Sequence, residues 1–348
     1  MVKKNHNEIL FIAYRFSEKY GVGSARSRSL AKYLEGEGVE LRVLQGPSTN
    51  TVFYRYLWLI KTLIVIVFAK EKKVYLSLGP FFLLLPVALI SKVFRKKLIL
   101  DFRDPWSHNI LTKYGEYEFN WDLPKSLKYK IAVTIEKLAY RFCVAFIVCT
   151  KGMYLAYEKL FQDSEKIHLI QNGFDFPAVN ETTINFTGKS IIRCICVGKF
   201  AEYNYQKAFQ TIQKLLNTLE NENKSFQILM IGCDIDLNKQ IFKEFQIEDK
   251  VEFLPRMSYE QAMNCVMKSD VGLTLIRDEF LDYGTKIFDY IGMGKPVWVL
   301  ADKSMPFYEE FKSFLVTDAE LSAHLDFSEV YAYSRLNRFR KFNKVFGI

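Results

Sequence analysis

Residues 283–297 read YGTKIFDYIGMGKPV, and this stretch determines how the rest of the chain is interpreted. Gly284 allows a turn, Thr285 can cap a helix that begins beside it, and the Gly-Lys-Pro sequence can end that helix. Backbone N–H groups at the start of such a helix, together with Lys286, attract phosphate oxygens. Asp289 offers paired carboxylate oxygens to the two hydroxyls of a ribose. The pattern indicates a nucleoside diphosphate site, although an ordinary helix with a glycine stop is compatible with it.

Short apolar, β-branched runs alternate with longer helical segments along the rest of the chain, which is typical of parallel α/β sheets. The predicted strands cover residues 9–13, 40–44, 74–77, 98–102, 145–149, 168–171, 191–197, 226–231, 251–253, 271–275 and 297–300. A polar stretch at 177–189 separates two such sets. We therefore predict an α/β fold of two Rossmann-like, doubly wound domains that face each other across a cleft. The expected ranges are 1–180, 190–325, and a C-terminal helical tail, 326–348, that packs back on the first domain.

The chain has 348 residues and a formal net charge of +9, which favours anionic partners. It contains no nucleic-acid-binding module such as paired Cys/His ligands or a basic region with heptads, so we expect no nucleic-acid partner. The six cysteines form no CxxC pair and indicate free thiols in a reducing compartment. The N-terminus lacks a signal-peptide pattern, and these features together predict a cytoplasmic protein.

Two apolar segments, LWLIKTLIVIVF at 57–68 and FFLLLPVALISKVF at 81–94, are shorter than a membrane-spanning helix and are interrupted by Lys61 or Pro86. Basic residues surround them. These are Arg55, Lys61, Lys70, Lys72, Lys73, Lys92, Arg95, Lys96 and Lys97. The segments are interpreted either as helices on an anionic bilayer surface or as buried helices of an α/β domain. The two interpretations are compatible.

A second candidate site lies between the first predicted strand and helix, where residues 20–28 read YGVGSARSR. A glycine loop in this position can bring backbone N–H groups to a phosphate. The residues expected to contact it are Gly21, Gly23 and Ser24. Arg26 and Arg28 can bind an anionic ligand, or they can simply form a solvated helix face.

The third candidate is LILDFRDPWSH at 98–108, an apolar strand that ends in charged and aromatic residues. Asp104 can hydrogen-bond a hydroxyl group of a ligand, with Arg103 beside it. Trp106 can stack on a flat apolar face such as that of a sugar, and His108 is a weaker ligand-binding candidate in a loop. An Asp–Arg pair that only braces the loop is the structural alternative.

Residues 283–297 resemble the donor-binding helix of GT-B fold glycosyltransferases, close to glycosyltransferase family 4. The resemblance extends over nearly the whole chain, through the glycine loop, the DFRDPW strand end, the NGFD sequence at 172–175 and the VGK sequence at 197–199. It implies retaining transfer of a sugar from a nucleotide diphosphate donor without a metal or other cofactor. In that mechanism the departing phosphate helps to deprotonate the acceptor. UDP is favoured over GDP as the nucleotide.

The resemblance also implies roles for single residues. Asp289 replaces the glutamate that binds the ribose, Lys199 and Lys207 bind the diphosphate, and Arg256 borders the base. Asp104 and Arg103 are the expected catalytic pair, in which Asp104 hydrogen-bonds the acceptor hydroxyl or the donor sugar. The expected acceptor-binding residues are Arg26, Arg28, Trp106 and His108. The glutamate that usually lies eight residues before the ribose carboxylate is absent here, because position 281 is leucine. The candidate substitutes are Asp278, Glu279 and Asp282.

Several alternatives stay open at this stage. Asp234-Ile-Asp236 matches a metal-binding D-x-D sequence, although the match is short. A nucleotide-sugar epimerase and a non-catalytic partner subunit can share the same fold. Charge and analogy favour a lipid-linked saccharide acceptor in bacterial surface polysaccharide assembly, such as capsule or lipopolysaccharide, and peripheral contact with the inner face of the membrane.

Overall fold

The structure is a computed structural model that describes residues 8–18, 21–47, 49, 51–117, 119–176, 178, 189–316 and 325–348. It contains two compact units. The first comprises Met1–Asn172 and Arg338–Ile348, and the second comprises Gly173–Asn337. The division follows Asn172 and thus precedes the expected boundary at 178–190, most of which lies outside the described residues.

The first unit alternates strands with helices. Its elements are β1 (Glu8–Ala13), α1 (Val22–Gly36), β2 (Glu40–Gln45), α2 (Val52–Phe68), β3 (Lys73–Ser77), α3 (Leu84–Val93), β4 (Lys97–Phe102), α4 (Trp106–Leu111), α5 (Leu127–Phe142), β5 (Cys143–Val148), α6 (Lys151–Phe161) and β6 (Ile167–Leu169). Thr150 caps α6 by accepting the N–H of Met153 at 3.1 Å. Ser126 caps α5 in the same way.

The strands of the first unit pair in parallel, in the order β2-β1-β3-β4-β5-β6. Four of them, β1, β3, β4 and β5, are buried almost throughout, which explains their apolar sequences, whereas the edge strand β2 is largely exposed. The order reverses between β1 and β3, because the chain runs from β1 to β2 on one side and returns to β3 on the other. Ligands of such sheets bind beyond the carboxyl ends of the strands at the reversal. The segments after β1, β3 and β4 are therefore the expected position of a site.

The second unit repeats the alternation. Its elements are β7 (Ile191–Val197), α7 (Tyr205–Asn221), β8 (Ser225–Ile231), α8 (Ile235–Glu244), β9 (Val251–Leu254), α9 (Tyr259–Lys268), β10 (Val271–Leu273), α10 (Lys286–Gly292), β11 (Val297–Trp298), α11 (Pro306–Phe311) and β12 (Leu315–Val316). The strands pair in parallel in the order β12-β11-β10-β7-β8-β9. Here the order reverses between β7 and β10, so the segments after these two strands are the expected ligand position. The predicted α/β class, with two doubly wound sheets, is confirmed.

The end of the chain differs from the helix expected for the tail at 326–348. It forms two short helices, α12 (Arg335–Phe339) and α13 (Lys341–Phe346). Phe339, Phe342 and Phe346 are buried in the core of the first unit with residues of β1, β3 and β4. The aromatic residues of the tail are therefore core residues of the first unit.

The lengths of the helices decide whether the apolar segments at 57–68 and 81–94 belong to helices that could span a membrane. Within the described ranges, no helix is sufficiently long and apolar to cross a membrane.

Candidate active site

The glycine loop of the first unit contacts the end of β4. Gly21 precedes α1 with a φ of 53°, and no side chain caps this helix. The Ser24 hydroxyl donates to the carbonyl of Gly21 at 2.9 Å, and Arg103 donates to the carbonyl of Gly23. Two separately predicted motifs therefore meet at the strand-order reversal. Burial lowers the pKa of Arg103, although the guanidinium stays charged because its ordinary pKa is so high.

Asp104 and Trp106 follow β4 at the same edge. Asp104 is exposed, and a methyl group added at Gly79, just beyond β3, would lie 3.8 Å from its Oδ2. Trp106 stacks on Phe81, with ring centroids 5.2 Å apart and planes 7° apart. One face of the indole is thus occupied by protein. The proposed stacking on a sugar is restricted to the other face.

Arg26 does not have the predicted acceptor-binding role, because it is a buried structural residue with 1% of its surface exposed. Its guanidinium forms a two-bond ion pair with Asp101, at 3.0 and 3.1 Å. It also donates to the carbonyls of Ile170 and Gln171 and lies 5.6 Å from the ring centre of Phe339. All of the N–H groups of the guanidinium point into the first unit. Sequence alone could not distinguish this arrangement from a solvated helix face.

Arg28, on the same helix, is partly exposed and pairs with Glu18 at 2.6 Å. This surface pair leaves the acceptor-binding prediction for Arg28 untested, since an exposed ion pair is readily exchanged for another anion.

His108 is not an acceptor-binding residue either. It lies in α4, where a loop was predicted, and none of its surface is exposed. Its ring packs against Phe119, Trp121 and Tyr157 at centroid distances of 5.3, 5.6 and 5.1 Å. Burial lowers the pKa of His108 to about 3. The imidazole is therefore a neutral core side chain.

This burial predicts an acid-dependent loss of stability. The unfolded chain binds a proton at His108 below its ordinary pKa of about 6.5, whereas the folded chain does not until about 3. Stability is therefore lost as pH falls from about 6.5 towards 3. Compared with His108→Phe, wild type is expected to lose about 2 kcal/mol of unfolding free energy between pH 7.5 and pH 5.0. Urea unfolding of both proteins at the two pH values measures this, and equal changes would contradict it.

In the second unit, Asp289 is held by two side chains. Its Oδ1 accepts a hydrogen bond from the Tyr259 hydroxyl at 2.8 Å, and its Oδ2 accepts one from Lys286 Nζ at 3.1 Å. Lys286 Nζ also lies 5.5 Å from the centre of the Tyr259 ring. The carboxylate is 8% exposed as a residue, and each oxygen retains one lone-pair direction. Asp289 is therefore oriented in advance and can still accept hydroxyl donors.

Helix α10 is placed by close packing against the sheet. A side chain at Gly272 in β10 would lie 2.5 Å from the Tyr290 ring, so only glycine allows this approach. The hydroxyl of Tyr290 accepts the N–H of Val197 at 2.9 Å and thereby ties α10 to β7. These two contacts fix Tyr290, and they thereby place the preceding residue, Asp289, at the reversal between β7 and β10.

The ends of α10 match the sequence prediction in part. Gly294 has a φ of 67° just after the helix, as expected for its stop, and exposed Gly284 has a φ of 69°. Thr285 occupies the N-cap position of the helix, as predicted, but its side chain accepts no capping hydrogen bond. The turn is instead held by Asp282, whose Oδ1 accepts the N–H of Gly284 at 3.1 Å.

The basic residues predicted to bind the donor, Lys199 and Lys207 at the diphosphate and Arg256 beside the base, differ in availability. Lys199 is exposed just after β7, and Arg256 is exposed just after β9. Lys207 instead pairs with Glu279 at 2.5 Å, and the other oxygen of Glu279 accepts the N–H of Asp302 at 2.6 Å. Lys199 and Arg256 can therefore bind an anion directly, whereas Lys207 must first exchange the Glu279 carboxylate for it.

The structure also distinguishes the three residues that could replace a carboxylate at position 281, because their partners differ. Leu281 is buried. Asp278 accepts the N–H groups of Phe280 and Leu281, and burial raises its pKa. Asp282 pairs with Arg277. Of the three candidates, Glu279 alone pairs with a predicted diphosphate ligand, Lys207.

The D-x-D sequence has a structural explanation. Asp234 caps α8 by accepting the N–H of Leu237 at 3.0 Å, and Asp236 lies in the first turn of that helix. In the described part of the chain, no three His, Cys, Asp or Glu side chains are grouped so that they could hold a metal ion.

Two residues of the site were missed from the sequence. Tyr259 begins α9 within the capping box Ser258-Tyr-Glu-Gln261, which signals only a helix start. Glu136 is buried in α5 and accepts the N–H of Ser107 at 3.1 Å and the hydroxyl of Tyr157 at 2.9 Å. Burial raises the pKa of Glu136 to about 7. It fixes α4 beside Asp104, and nothing in its local sequence indicates this contact.

Comparison with known proteins supports the fold. No family model matches the chain, and no curated protein matches it. HepE of Anabaena, solved with UDP and glucose, has a TM-score of 0.62 at 14% identity, covering 98% of this chain and 100% of HepE. The lipopolysaccharide outer core galactosyltransferase WaaB has a TM-score of 0.59 at 11% identity, covering 98% and 99%. WaaG, a glycosyltransferase involved in lipopolysaccharide biosynthesis, has a TM-score of 0.56 at 12% identity, covering 97% and 95%.

The chain has the GT-B fold. Because these structures match over nearly the full length of both chains, the GT-B architecture predicted from residues 283–297 is confirmed. Sequence identities of 11–14% establish the fold and leave the activity to be argued from the residues themselves.

Proposed function

We propose that this protein is a glycosyltransferase that moves a sugar from a nucleotide diphosphate donor, with a UDP-sugar favoured, to an acceptor hydroxyl. The observation that carries the proposal is the Asp289 carboxylate, held by Tyr259 and Lys286. A ribose presents two adjacent hydroxyl donors, which match the two remaining acceptor directions of this carboxylate. HepE, which shares the fold, is described in complex with UDP and glucose.

We further propose that the reaction proceeds with retention and without a metal. The bond between the anomeric carbon and the diphosphate oxygen breaks, and the acceptor oxygen bonds to the same face of that carbon. The acceptor proton passes to the departing phosphate oxygen. Lys199 and Lys286 supply positive charge for the diphosphate, and such preorganised charge is an effective way to stabilise a leaving group.

On the acceptor side we propose Asp104 as the carboxylate that receives the acceptor hydroxyl, with Arg103 and Glu136 as the residues that position its loop. The acceptor class we favour is a lipid-linked saccharide at the cytoplasmic face of the membrane, in surface polysaccharide synthesis. WaaB and WaaG, which share the fold, are described as lipopolysaccharide enzymes.

A thermal-shift panel tests the nucleotide assignment. UDP, GDP, uridine and four nucleotide sugars are compared at 1 mM, with and without EDTA. UDP and one UDP-sugar are expected to raise the melting temperature by roughly 5 °C if the concentration is about 100 times Kd. Uridine should have a smaller effect, because it lacks the diphosphate that Lys199 and Lys286 attract. The shift should be the same with EDTA.

The stabilising nucleotide sugar is then incubated with and without candidate acceptors, and products are identified by NMR. Release of UDP that depends on an acceptor hydroxyl supports transfer. An epimer formed without any acceptor would identify a nucleotide-sugar epimerase instead. Absence of stabilisation by every nucleotide would favour a non-catalytic subunit, and activity abolished by EDTA would exclude the metal-free mechanism.

A further inference from the structure

Helix α2 of the first unit has two different faces. Trp58, Thr62 and Ile66, spaced four residues apart, are buried against the rest of the unit. The opposite face carries a continuous apolar stripe that is between 46% and 79% exposed. Its members are Phe53, Leu57, Ile60, Ile64 and Phe68. Their spacing of three or four residues places them on one side of the helix along its whole length. The buried face anchors α2, so the exposed stripe is not required for folding.

The stripe continues onto two neighbouring helices. The chain passes from β2 to β3, β4 and β5 in one direction along the sheet, so right-handed crossovers place α2, α3 and α5 on the same side of it. α2 packs against α3, and α3 packs against α5. The exposed apolar residues of α3 and α5 are Leu89, Val93, Leu127 and Ile131. Together with the stripe, these residues form one surface, here called the outer helical face. A contiguous apolar surface of this kind marks an interaction site.

The charges around the outer helical face have one sign. Residues 51–97 contain nine Lys or Arg residues and one acidic residue, Glu71. Residues 125–141 contain five Lys or Arg residues and one acidic residue, Glu136. Both glutamates are buried, at 8% and 0% exposure. Lys61, Lys92 and Lys128, one on each helix, are exposed. The described part of this face therefore presents apolar side chains among positive charges that no exposed acid offsets.

We propose that the outer helical face docks on an anionic phospholipid bilayer. Leucine, isoleucine and phenylalanine side chains enter the boundary between headgroups and acyl chains, while lysines remain at the level of the phosphates. Phe53 and Phe68 lie at the two ends of α2, so this helix lies flat on the bilayer. A second copy of the chain fits less well, because a two-fold contact would bring two sets of positive charges together. The inference uses only the first unit and holds independently of the proposed transfer reaction.

The test uses the full-length protein and flotation of vesicles. Vesicles of phosphatidylcholine alone are compared with vesicles containing about 30% phosphatidylglycerol, at 100 mM and 500 mM NaCl. The protein is expected to float with the anionic vesicles at low salt, to be released at least in part at high salt, and to stay unbound with neutral vesicles. Equal binding to both compositions, or to neither, overturns the proposal.

Variants then locate the contact. Lys61→Gln, Lys92→Gln and Lys128→Gln combined are expected to weaken partitioning by about 100-fold, which is about fivefold for each charge. Leu57→Gln, Ile60→Gln and Ile64→Gln combined are expected to weaken it at least about tenfold through the lost apolar contact. The matched control changes exposed residues elsewhere, with Lys243→Gln, Lys268→Gln and Met267→Gln, and should bind as wild type does.

Two further outcomes decide against the proposal. If the control variant loses as much binding as the two test variants, binding follows total charge and the outer helical face is not the contact. If light scattering shows a wild-type dimer that the Leu57, Ile60 and Ile64 substitutions convert to a monomer, with no vesicle binding by either protein, the face is an interface between copies. Melting temperatures close to wild type show that each variant is folded.

Discussion

Replacing Arg26 by alanine is expected to lower the free energy of unfolding by about 3–5 kcal/mol. The substitution leaves the Asp101 carboxylate fully buried, with the Tyr75 hydroxyl, 2.5 Å away, as its remaining described side-chain donor. It also removes the donors to the carbonyls of Ile170 and Gln171 and the cation that faces Phe339. The effect is large because a buried charge without its partner costs much more than the pair contributes.

Arg28→Ala is the matched control, since Arg28 lies on the same helix and its ion pair with Glu18 is exposed. Its expected cost is about 0–1 kcal/mol. Arg26→Lys should recover only part of the loss, because lysine cannot reproduce the two parallel bonds to Asp101. Urea unfolding of the three variants measures these differences. If Arg26→Ala lowers the free energy of unfolding no more than Arg28→Ala does, the buried Arg26–Asp101 ion pair is not important for stability.

Central strands such as β1, β3 and β4 could be predicted from sequence because they are buried on both faces and therefore appear as short apolar, β-branched runs. Predictions failed where tertiary contacts determine local structure. The α4 helix follows a strand end with no helical periodicity, and its first turn is fixed by Glu136 from another element. The tail was expected to be one helix, yet Phe339, Phe342 and Phe346 enter the core from two short helices. Such contacts leave no periodic signal in the sequence.

Site residues were predicted best where the chain presents them at a strand end and worst where charge alone suggested a role. Arg103 and Gly23 belong to two different predicted motifs, and these motifs contact each other at the end of one sheet. The local sequence around Arg26 resembles that of an exposed arginine that binds anions. Only the ion pair with Asp101, on a strand distant in sequence, reveals that Arg26 is buried. Tyr259 was missed because a tyrosine at a helix start has no local signature for a contact 30 residues away.

Asp289→Asn is expected to weaken UDP binding by about 100-fold, or about 3 kcal/mol, because two hydrogen bonds from the ribose lose a charged acceptor. Asparagine keeps the volume and can still accept from Tyr259, so the melting temperature without nucleotide should change little. Isothermal titration of UDP measures the effect. Asp236→Asn, in the first turn of α8, is the matched control and should leave affinity unchanged.

Comparison of UDP with its 2′-deoxy analogue separates a ribose contact from a general charge effect. Wild type should bind the deoxy analogue more weakly, because Asp289 loses one hydroxyl donor, whereas Asp289→Asn should bind the two ligands almost equally. Tyr259→Phe should weaken UDP binding less, by roughly fivefold, because it frees the carboxylate without removing its charge. If Asp289→Asn retains the wild-type preference for UDP over the deoxy analogue, Asp289 does not bind the ribose, and the Tyr259–Asp289–Lys286 cluster only braces α10 against α9.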